Sequence, residues 1–464
     1  MAMGVFLATI DGSIVNIALN TLVQDLHQPL AVIEWVVLAY MLTISTLMLS
    51  VGRLSDMIGK KKLFLAGMAI FTVGSGLCGL SPNVSWLIGF RVFQAVGASM
   101  IMALGTAIIT ETFPARERGK ALGVIGTMVS IGIIAGPTIG GIILQSLSWH
   151  WLFFVNLPVG LIGIIMVFRF VPDQSSTTKQ RFDFQGAASL FITMSSFLVA
   201  LSLGQKFGFD QWSVYGLFGL CLLSLFLFIM IERKTDNPMI DTKMFSNAQF
   251  SINLITGFLV FICTAGTMMI LPLYLQNIMG YSPQQTGLLL AITPLIVAFI
   301  APLSGALSDR VGSRPITTLG LGMLVVGYFA VSSLSETTST LGYLVRFVPI
   351  GIGLGLFQSP NNSAVMGSAS RERLGVASGL LSLTRTIGQT AGIALLGAFW
   401  ENRVATYSGG FIHQDATQAP FHLQVMGMKD TIYLVIALLL LAFLISVWAL
   451  VQFLKNKKRF TGSV

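Results

Sequence analysis

The sequence predicts an all-α polytopic membrane protein with 14 transmembrane helices, in which two pseudo-symmetric six-helix halves flank two extra helices. Its composition, the length of its apolar segments and an internal repeat predict this fold. Hydrophobic residues form 54% of the 464 residues and charged residues only 10%, against about 25% in soluble proteins. So little charge cannot cover a water-facing surface, which excludes soluble multi-domain, disordered and nucleic-acid-binding proteins.

The apolar segments set the predicted number of helices. About 20 consecutive apolar residues span the hydrocarbon core of a bilayer. Fourteen segments meet this requirement: 2–23, 33–51, 63–80, 84–109, 119–145, 151–170, 184–204, 212–231, 250–275, 284–307, 316–334, 340–363, 374–400 and 431–453. The first segment is too long, and at Asp11 and Asn16 too polar, for a signal peptide. Whether the native N-terminus lies further upstream is left open by the sequence.

The charge of the loops predicts the orientation in the membrane. Most of the 27 lysines and arginines fall in the loops that follow even-numbered helices and in the C-terminal tail. The loops that follow odd-numbered helices hold only Lys206, Arg403 and Lys429. Because Lys and Arg are enriched on the cytoplasmic side, both termini are predicted to be cytoplasmic, in the cell (inner) membrane. The net charge of +9 therefore points to orientation rather than to an anionic partner.

Cysteines and histidines follow no disulfide or metal-binding pattern. Three cysteines lie in separate predicted spans, where the expected role is that of a small buried hydrophobic residue: Cys78, Cys221 and Cys263. Four histidines fall in predicted outer loops: His27, His150, His413 and His422. No pair of them has metal-ligand spacing on a helix, and no metal site is expected.

Three features recur about 255 residues apart at the same places in the helix order. They are GRLSDMIGKKK at Gly52 and GALSDRVGSRP at Gly305, Arg91 and Arg346, and RERGKALG at Arg116 and RERLGVASG at Arg371. The repeat predicts an N-terminal six-helix bundle at 1–171, two inserted helices (7 and 8) with flanking cytoplasmic loops at 172–248, and a C-terminal bundle with a basic tail at 249–464. Transporters built from two such halves bind substrate near the bilayer midplane, between the halves.

Several motifs resemble those of a known family. GRLSDMIGKKK is similar to the loop 2–3 signature of the major facilitator superfamily, and GTMVSIGIIAGPTIGG in helix 5 to its antiporter signature. IDGSIVNIAL in helix 1, FDFQG at 182–186 and SLTRTIGQTAG in helix 13 are similar to the fourteen-helix drug:proton antiporter branch. The resemblance covers essentially the whole chain in order. It implies proton-coupled export of amphipathic compounds by alternating access.

Asp56 and Asp309 lie in the repeated loops, at the predicted cytoplasmic surface. There a carboxylate can accept hydrogen bonds from a helix N-terminus and oppose its positive dipole end, while Gly52 and Gly305 allow close helix approach. The resemblance implies that these loops latch the halves in the outward-facing state. The alternative is a simple positively charged loop with a turn glycine.

Helix 5 carries Gly132, Gly136 and Gly140 four residues apart, on one face that permits tight packing. Pro137 interrupts the backbone hydrogen bonds and is expected to bend the helix. An ordinary glycine-packed membrane interface explains the same pattern. Antiport rather than symport follows from the resemblance alone.

Asp11 lies in the middle of helix 1, and its counterpart near Thr264 carries no carboxylate. Ionisable residues inside a membrane are costly and are functional by default. Because burial favours a protonated carboxyl group, Asp11 can load and release a proton. Arg91, in RVFQAVGA, resembles the family's third motif, which implies that it controls protonation at this site. A static ion pair between helices 1 and 4 is the alternative.

Polar residues elsewhere in the spans predict a substrate cavity. Arg385 has no charged mate in the repeat, and with Gln389 one turn on it can line the cavity, neutralise a carbonyl cluster or bind a lipid headgroup. Glu34, at the outer mouth of helix 2, is a candidate for attracting cations. The other polar or aromatic candidates are Trp35, Tyr40, Gln94, Gln358, Asn361 and Asn362.

The resemblance, together with these residues, implies multidrug efflux, a proton-coupled antiport that leads to antibiotic resistance. The alternative is export of a specific lipid or metabolite on the same fold. A channel would more typically show a ring of symmetry-related polar residues, an ATP-driven pump would need GxxxxGK[ST], and no enzyme site is predicted. No cofactor is expected, with the proton gradient as the energy source. Expected partners are amphipathic substrates, protons and lipids, with no nucleic acid, around a monomer. An envelope adaptor protein, the substrate and the proton stoichiometry are left open.

Overall fold

The computed structural model describes residues 1–28, 30–114, 116–172, 183–235, 240, 242–408 and 419–461. Every regular element among these residues is a helix. The predicted loop residues Lys179, Arg181 and His413, and Phe182 of FDFQG, lie outside the described residues.

Fourteen long helices in the described part of the chain are labelled in order. They are α1 Ala2–Leu26, α2 Trp35–Ile58, α3 Lys60–Gly79, α4 Val84–Thr112, α5 Arg118–Ser146, α6 Asn156–Phe170, α7 Phe184–Phe207, α8 Trp212–Lys234, α9 Ala248–Leu273, α10 Ile292–Val311, α11 Ser313–Ser332, α12 Thr340–Gly367, α13 Leu374–Tyr407 and α14 Phe421–Thr461. Short segments Leu30–Ile33, Trp151–Phe154 and Pro283–Leu290 precede α2, α6 and α10, and a π-helical turn, Tyr274–Ile278, extends α9.

Fewer helices meet the length and hydropathy expected of a membrane span than the fourteen that the sequence predicts. In the described residues 12 helices are long and apolar enough to cross, or 13 if α1, bent by 41° between Ala2–Val15 and Ile17–Leu26, counts as one span. The helix outside this count is α13, because Arg385, Gln389 and several hydroxyl residues interrupt its apolar run. A helix occupies each of the fourteen predicted ranges, but the count of fourteen crossings stays a prediction.

The ends of the helices follow local sequence signals. Asn83 caps α4 by accepting a 3.1 Å hydrogen bond from the Trp86 amide, and Ser339 caps α12 by accepting one of 3.1 Å from the Gly342 amide. The last glycines of the two repeated loop motifs, Gly59 and Gly312, have φ values of 108° and 99°. This left-handed backbone suits glycine and separates α2 from α3 and α10 from α11.

Helix packing repeats between the halves. Helix α1 packs along α5, and the equivalent pair eight helices later, α9 and α13, packs in the same way. Across the halves α2 packs on α13 and α5 on α10, which is again a repeated pair. The inserted helices α7 and α8 pack on each other, and α7 also contacts both α2 and α13. The interface between the halves is therefore built from α2, α5, α10 and α13.

The core and the surface are both apolar. One buried cluster fills the second half around Tyr328 and Phe357, and another fills the first half around Phe64 and Phe71. Large side chains such as Phe299 also face outward. A broad apolar surface of this kind suits lipid rather than water.

Candidate functional site

A fully buried ion pair lies inside the first half. Asp11 on α1 and Arg91 on α4 are both 0% exposed, and Arg91 Nη1 donates to Asp11 Oδ2 at 2.5 Å. Arg91 Nε donates to the Val36 carbonyl at 3.1 Å. Gln94, one turn further along α4, donates from Nε2 to Asp11 Oδ1 at 2.9 Å and accepts from Arg91 Nη1 at 2.8 Å. The carboxylate and the guanidinium thus pair away from water, although Arg91 Nη2 has no hydrogen-bond partner among the described residues.

Two further residues complete this cluster, and sequence reasoning missed both. Asn156 on α6 donates to Asp11 Oδ1 at 2.8 Å, and Ser75 on α3 accepts from Gln94 Nε2 at 2.6 Å. Both are buried. The sequence offered one indication of Asn156, because its side-chain amide is isolated within the apolar segment 151–170. Ser75 gave no such signal, because serine is common in membrane helices.

Aromatic rings cover the ion pair. The Arg91 guanidinium carbon lies 3.9 Å from the centre of the Tyr40 ring and 5.7 Å from that of Phe153, distances at which a cation is attracted to the ring face. Tyr40 Oη donates to the Ala8 carbonyl at 3.3 Å. Tyr40 and Gln94 were predicted to line the substrate cavity. The structure places them in this cluster instead, because their faces of α2 and α4 turn toward α1.

The cluster links protonation to helix packing. A buried ion pair is held together only while both partners are charged, since removing one leaves an uncompensated buried charge at a cost of about 3–5 kcal/mol. Protonation of Asp11 would leave Arg91 in that position. The charge of Asp11 therefore contributes to the packing of α1 against α4.

The predicted glycine face of α5 packs against α1 beside Asp11. A Cβ at Gly132 would lie 3.0 Å from that of Thr9, one at Gly136 would meet Ser13, and one at Gly140 would lie 2.8 Å from Ile14 Cγ1. Ser13 also donates to the Gly132 carbonyl at 3.1 Å. Helix α5 continues through position 137; the side chain of Pro137 lies outside the described residues.

Asp56, at the end of α2, joins the two halves. Its carboxylate accepts hydrogen bonds from the amides of Gly375 at 2.9 Å and Val376 at 3.1 Å. These amides open α13, so the carboxylate opposes the positive end of that helix dipole. Lys60 lies 3.2 Å from Asp56 and 3.5 Å from Glu111, which adds a second charge contact.

Asp309 makes the equivalent contact in the repeat. It accepts hydrogen bonds from the amides of Gly119 at 2.8 Å and Lys120 at 3.1 Å, at the start of α5. A Cβ at Gly305 would collide with the Gly119 backbone, and one at Gly52 with the Gly375 backbone. The two contacts, called the latches below, lie at the same end of the molecule and close it there.

A cavity of about 700 Å³, called the chamber below, lies between the halves. Trp35, Gln358 and Gln389 line it, together with apolar residues of α7, α9 and α10. Trp35 begins α2 and Asp56 lies near its end, so the chamber reaches the end of the bundle opposite the latches. Among the described residues that line the chamber, none has a charged side chain.

The other predicted cavity residues lie elsewhere. Arg385 lines a smaller cavity of about 50 Å³, called the pocket below, together with Gln358 and Asn362. Asn361 is buried on α12, and Glu34 lies at the start of α2; neither borders the chamber or the pocket.

His150, in the loop before α6, is a titratable group at the end of the bundle opposite the latches. Its ring stacks on Trp149 with 3.8 Å between ring centres. Burial lowers the pKa of His150 from its ordinary value of 6.5, and the charge of Asp25 partly opposes this. His150 is therefore mainly neutral at neutral pH.

Two helical halves that enclose a chamber at their interface are the arrangement of a membrane transporter. Residues 1–393 match the profile of the Major Facilitator Superfamily. The chain belongs to that superfamily, whose members are membrane-embedded transporters and not enzymes.

Relatives cover nearly the whole chain. It is 35% identical over 413 residues to "Riboflavin transporter RibZ" of Clostridioides difficile, covering 89% of each chain. It is 32% identical over 443 residues to "Multidrug transporter protein MdtP" of Bacillus subtilis, covering 93% of this chain and 81% of the relative. Several relatives are thus named multidrug transporters, and one a riboflavin transporter.

Solved structures share the fold. The human organic anion transporter MFSD10 (TETRAN) superposes with a TM-score of 0.66 at 15% identity, covering 96% of this chain and 97% of that chain. The proton:xylose symporter XylE superposes with a TM-score of 0.64 at 13% identity, covering 94% and 93%. At this identity the likeness concerns the fold alone.

Proposed function

We propose that the protein is a proton-coupled antiporter that exports amphipathic or hydrophobic small molecules by alternating access. It would act in the cell (inner) membrane as a fourteen-span, multi-pass monomer with both termini cytoplasmic. Multidrug efflux, with antibiotic resistance as its consequence, is the favoured role. The proton gradient supplies the energy, without a cofactor.

The observation that carries the proposal is the buried cluster around Asp11. A carboxylate that exchanges its ion pair for a proton changes the charge of the cluster by one unit, and the pair cannot separate at low cost while both groups are charged. In the proposed cycle, Asp11 is protonated from outside, Arg91 is released, and the halves rearrange. Substrate in the chamber favours the opposite step.

The latches support alternating access. They close the end that loop charge predicts to be cytoplasmic, while the chamber extends toward the other end. In the proposed cycle this is the outward-facing state, and breaking the contacts of Asp56 and Asp309 with α13 and α5 opens the inner side. A ligand shifts such an equilibrium only by its differential affinity for the two states.

The chamber supports a broad range of substrates. Its wall contains Met41, Met268 and Met269 among other apolar side chains, and methionine adapts to ligands of different shape. A volume of about 700 Å³ lies in the range of small-molecule sites. Relatives named as multidrug transporters agree with this proposal.

A specific metabolite exporter is the second candidate. The relative named as a riboflavin transporter is 35% identical to this chain, so a single heteroaromatic substrate on the same fold would also fit the chamber. Competition by a panel of dyes, drugs, lipids and riboflavin for one transported dye distinguishes a broad site from a selective one.

The test of coupling uses purified protein in proteoliposomes with an imposed pH gradient and a pH-sensitive dye inside. Asp11→Asn imitates the protonated carboxyl group permanently. It should keep the binding of neutral substrates but lose uphill transport and substrate-dependent proton flux. Counterflow exchange without a gradient can continue.

Asp25→Asn is the matched control, because Asp25 lies on the same helix but is exposed. It should retain coupled transport, and so should His150→Gln. If Asp11→Asn still moves protons stoichiometrically with substrate, Asp11 is not the coupling residue and Glu34 becomes the next candidate.

A further inference from the structure

Arg385 is a positive charge between the two halves that has no counter-charge. In the part of the chain that the structure describes, its guanidinium makes no ion pair and no hydrogen bond with another residue. Two other arginines have partners: Arg91 forms an ion pair with Asp11, and Arg346 donates hydrogen bonds to the Ser333 hydroxyl and the Gly342 carbonyl. An unpaired charge at this depth is costly, so a partner for Arg385 is expected.

The amides beside Arg385 are unpartnered too. Gln358 and Asn362 on α12 line the same pocket, and their side chains make no hydrogen bond to any described residue. The pocket also holds Ser382, whose hydroxyl makes a long 3.4 Å contact with the Met102 carbonyl. No carboxylate borders the pocket. The Arg385 guanidinium and the two amide groups can all donate hydrogen bonds, as an anion requires, whereas the Ser382 hydroxyl already donates to the Met102 carbonyl.

The pocket adjoins the chamber. Val129 and Gln358 line both cavities, and Gln389 of the chamber follows Arg385 by one turn of α13, which is about 6 Å. The volume of about 50 Å³ accommodates about four water molecules. It therefore fits a charged headgroup but not the apolar body of a substrate, for which the chamber has room.

We propose that the pocket binds the oxyanion of an amphipathic substrate, such as a carboxylate or a sulfonate, while the chamber holds its apolar body. The inference rests on the proposed role of the chamber as the substrate site. Arg385 supplies the fork of donors that suits a planar oxyanion, and Gln358 and Asn362 supply neutral donors. The protein would thus prefer anions over neutral analogues of the same shape.

The test compares two probes that share one apolar body. Pyrenebutyrate carries a carboxylate and pyrenebutyramide carries a neutral amide. Their binding to the purified protein in phosphatidylcholine nanodiscs, at pH 7.5 and 0.15 M salt, is followed by energy transfer from tryptophan, since Trp35 lines the chamber. We expect the wild-type protein to bind the carboxylate at least about tenfold more tightly, as one charge-assisted hydrogen-bonded contact provides.

Arg385→Gln should remove this preference while leaving the affinity for the amide unchanged, which also shows that the variant is folded. Arg385→Lys should keep part of the preference, because the charge remains but the fork is lost. Arg346→Gln removes one positive charge from an arginine that borders neither cavity and is the matched control. It should leave the preference unchanged.

The outcomes separate this proposal from the proposed function. Equal binding of both probes by the wild-type protein would overturn the anion site and leave the chamber intact. If neither probe binds, the chamber does not take amphipathic molecules, and both proposals fail.

A final arm identifies the source of the anion. Phosphatidylglycerol is added to the nanodiscs in increasing amounts. If it competes with pyrenebutyrate in the wild-type protein but not in Arg385→Gln, the site stands and a lipid headgroup occupies it. If it does not compete, the site takes soluble amphipathic anions.

Discussion

Asp11 accepts hydrogen bonds from donors on two different helices. Arg91 and Gln94 approach it from α4, and Asn156 approaches from α6 at 2.8 Å. Each donor stabilises the charged carboxylate relative to the protonated one. Weakening one of them should therefore favour the protonated form without removing the titratable group.

Asn156→Ala should raise the pH at which proton-coupled transport is half-maximal by about one to two units, since a hydrogen bond to a charged group contributes about 1.5–3 kcal/mol. The measurement is the initial rate of substrate-driven proton flux in proteoliposomes between pH 5 and 9. Ser75→Ala is the control, because Ser75 accepts from Gln94 without contacting Asp11, and it should shift the profile less. An identical pH profile for Asn156→Ala would mean that Asn156 only fills space.

Helix α1 contacts the glycine face of α5 on one side and carries Asp11 toward α4 and α6 on the other, since residues 11 and 13 lie about 200° apart around the helix. Gly136 faces Ser13 two residues from Asp11, with no room for a Cβ, whereas Gly141 on the same helix has nothing within 4 Å of a built Cβ. The interface is therefore sensitive to volume on one face of α5 only.

Gly136→Ala should destabilise the purified protein by about 1–3 kcal/mol, the usual cost of overpacking, and should lower the thermal unfolding temperature in detergent. Gly141→Ala adds the same methyl group to the same helix and should leave that temperature unchanged. Equal melting temperatures for the two variants would show that α5 does not need its close approach to α1.

Each latch joins the end of a helix in one half to the start of a helix in the other half: α2 to α13, and α10 to α5. Asp56→Asn removes the charge that opposes the α13 dipole and pairs with Lys60. These interactions of the carboxylate stabilise the contact between the halves by about 1–2 kcal/mol. The outward-facing state should lose stability, and dye efflux should slow while expression stays near the wild-type level.

Efflux rates and membrane expression are measured together for this variant. Asp309→Asn alters the equivalent contact with α5 and should act in the same direction, whereas the exposed Asp25→Asn should not. Wild-type efflux by Asp56→Asn would remove the latch assignment.

In the molecule as a whole, the packing of the helices repeats between the two halves, whereas the buried charged residues do not. Both halves carry an equivalent latch and an equivalent helix pair, yet the buried ion pair lies in the first half and the unpaired Arg385 lies in the second. The buried ion pair and Arg385 therefore lie in different halves, and the proposed coupling between them would act through the interface between the halves. Orientation in the membrane decides in which direction this arrangement moves a substrate.

The loop charge predicts that the Lys60–Lys62 loop and the tail after Leu454 are cytoplasmic. Cysteine placed at Lys62 should resist impermeant thiol reagents added to intact cells, and so should cysteine in the tail. Cysteine at exposed Asp210, between α7 and α8, should react. The native cysteines are buried and give a low background. Labelling of the first two sites with protection of the third would reverse the orientation.

The sequence by itself determined the helical membrane fold and the approximate positions of the fourteen long helices in the described chain. These features depend on local apolar length and on repeated motifs, which can be read along the chain. The residues of the latches and the glycine face follow from the same motifs, and the structure gives Asp56, Asp309 and Gly136 contacts that suit their predicted roles. The sequence did not determine the number of membrane crossings. Helix α13 is long enough to span a bilayer, but its polar residues leave open whether it does.

Tertiary structure alone decided which polar side chains meet. Tyr40 and Gln94 lie with Asp11 and not in the chamber, Asn156 joins them from a helix 145 residues later, and Arg385 lies apart from every carboxylate described. The physical reason is that a helix turns through 100° per residue, so a small rotation exchanges the faces toward the cavity and toward a neighbouring helix. That rotation is fixed only by the packing between helices, which depends on several segments of the chain at once.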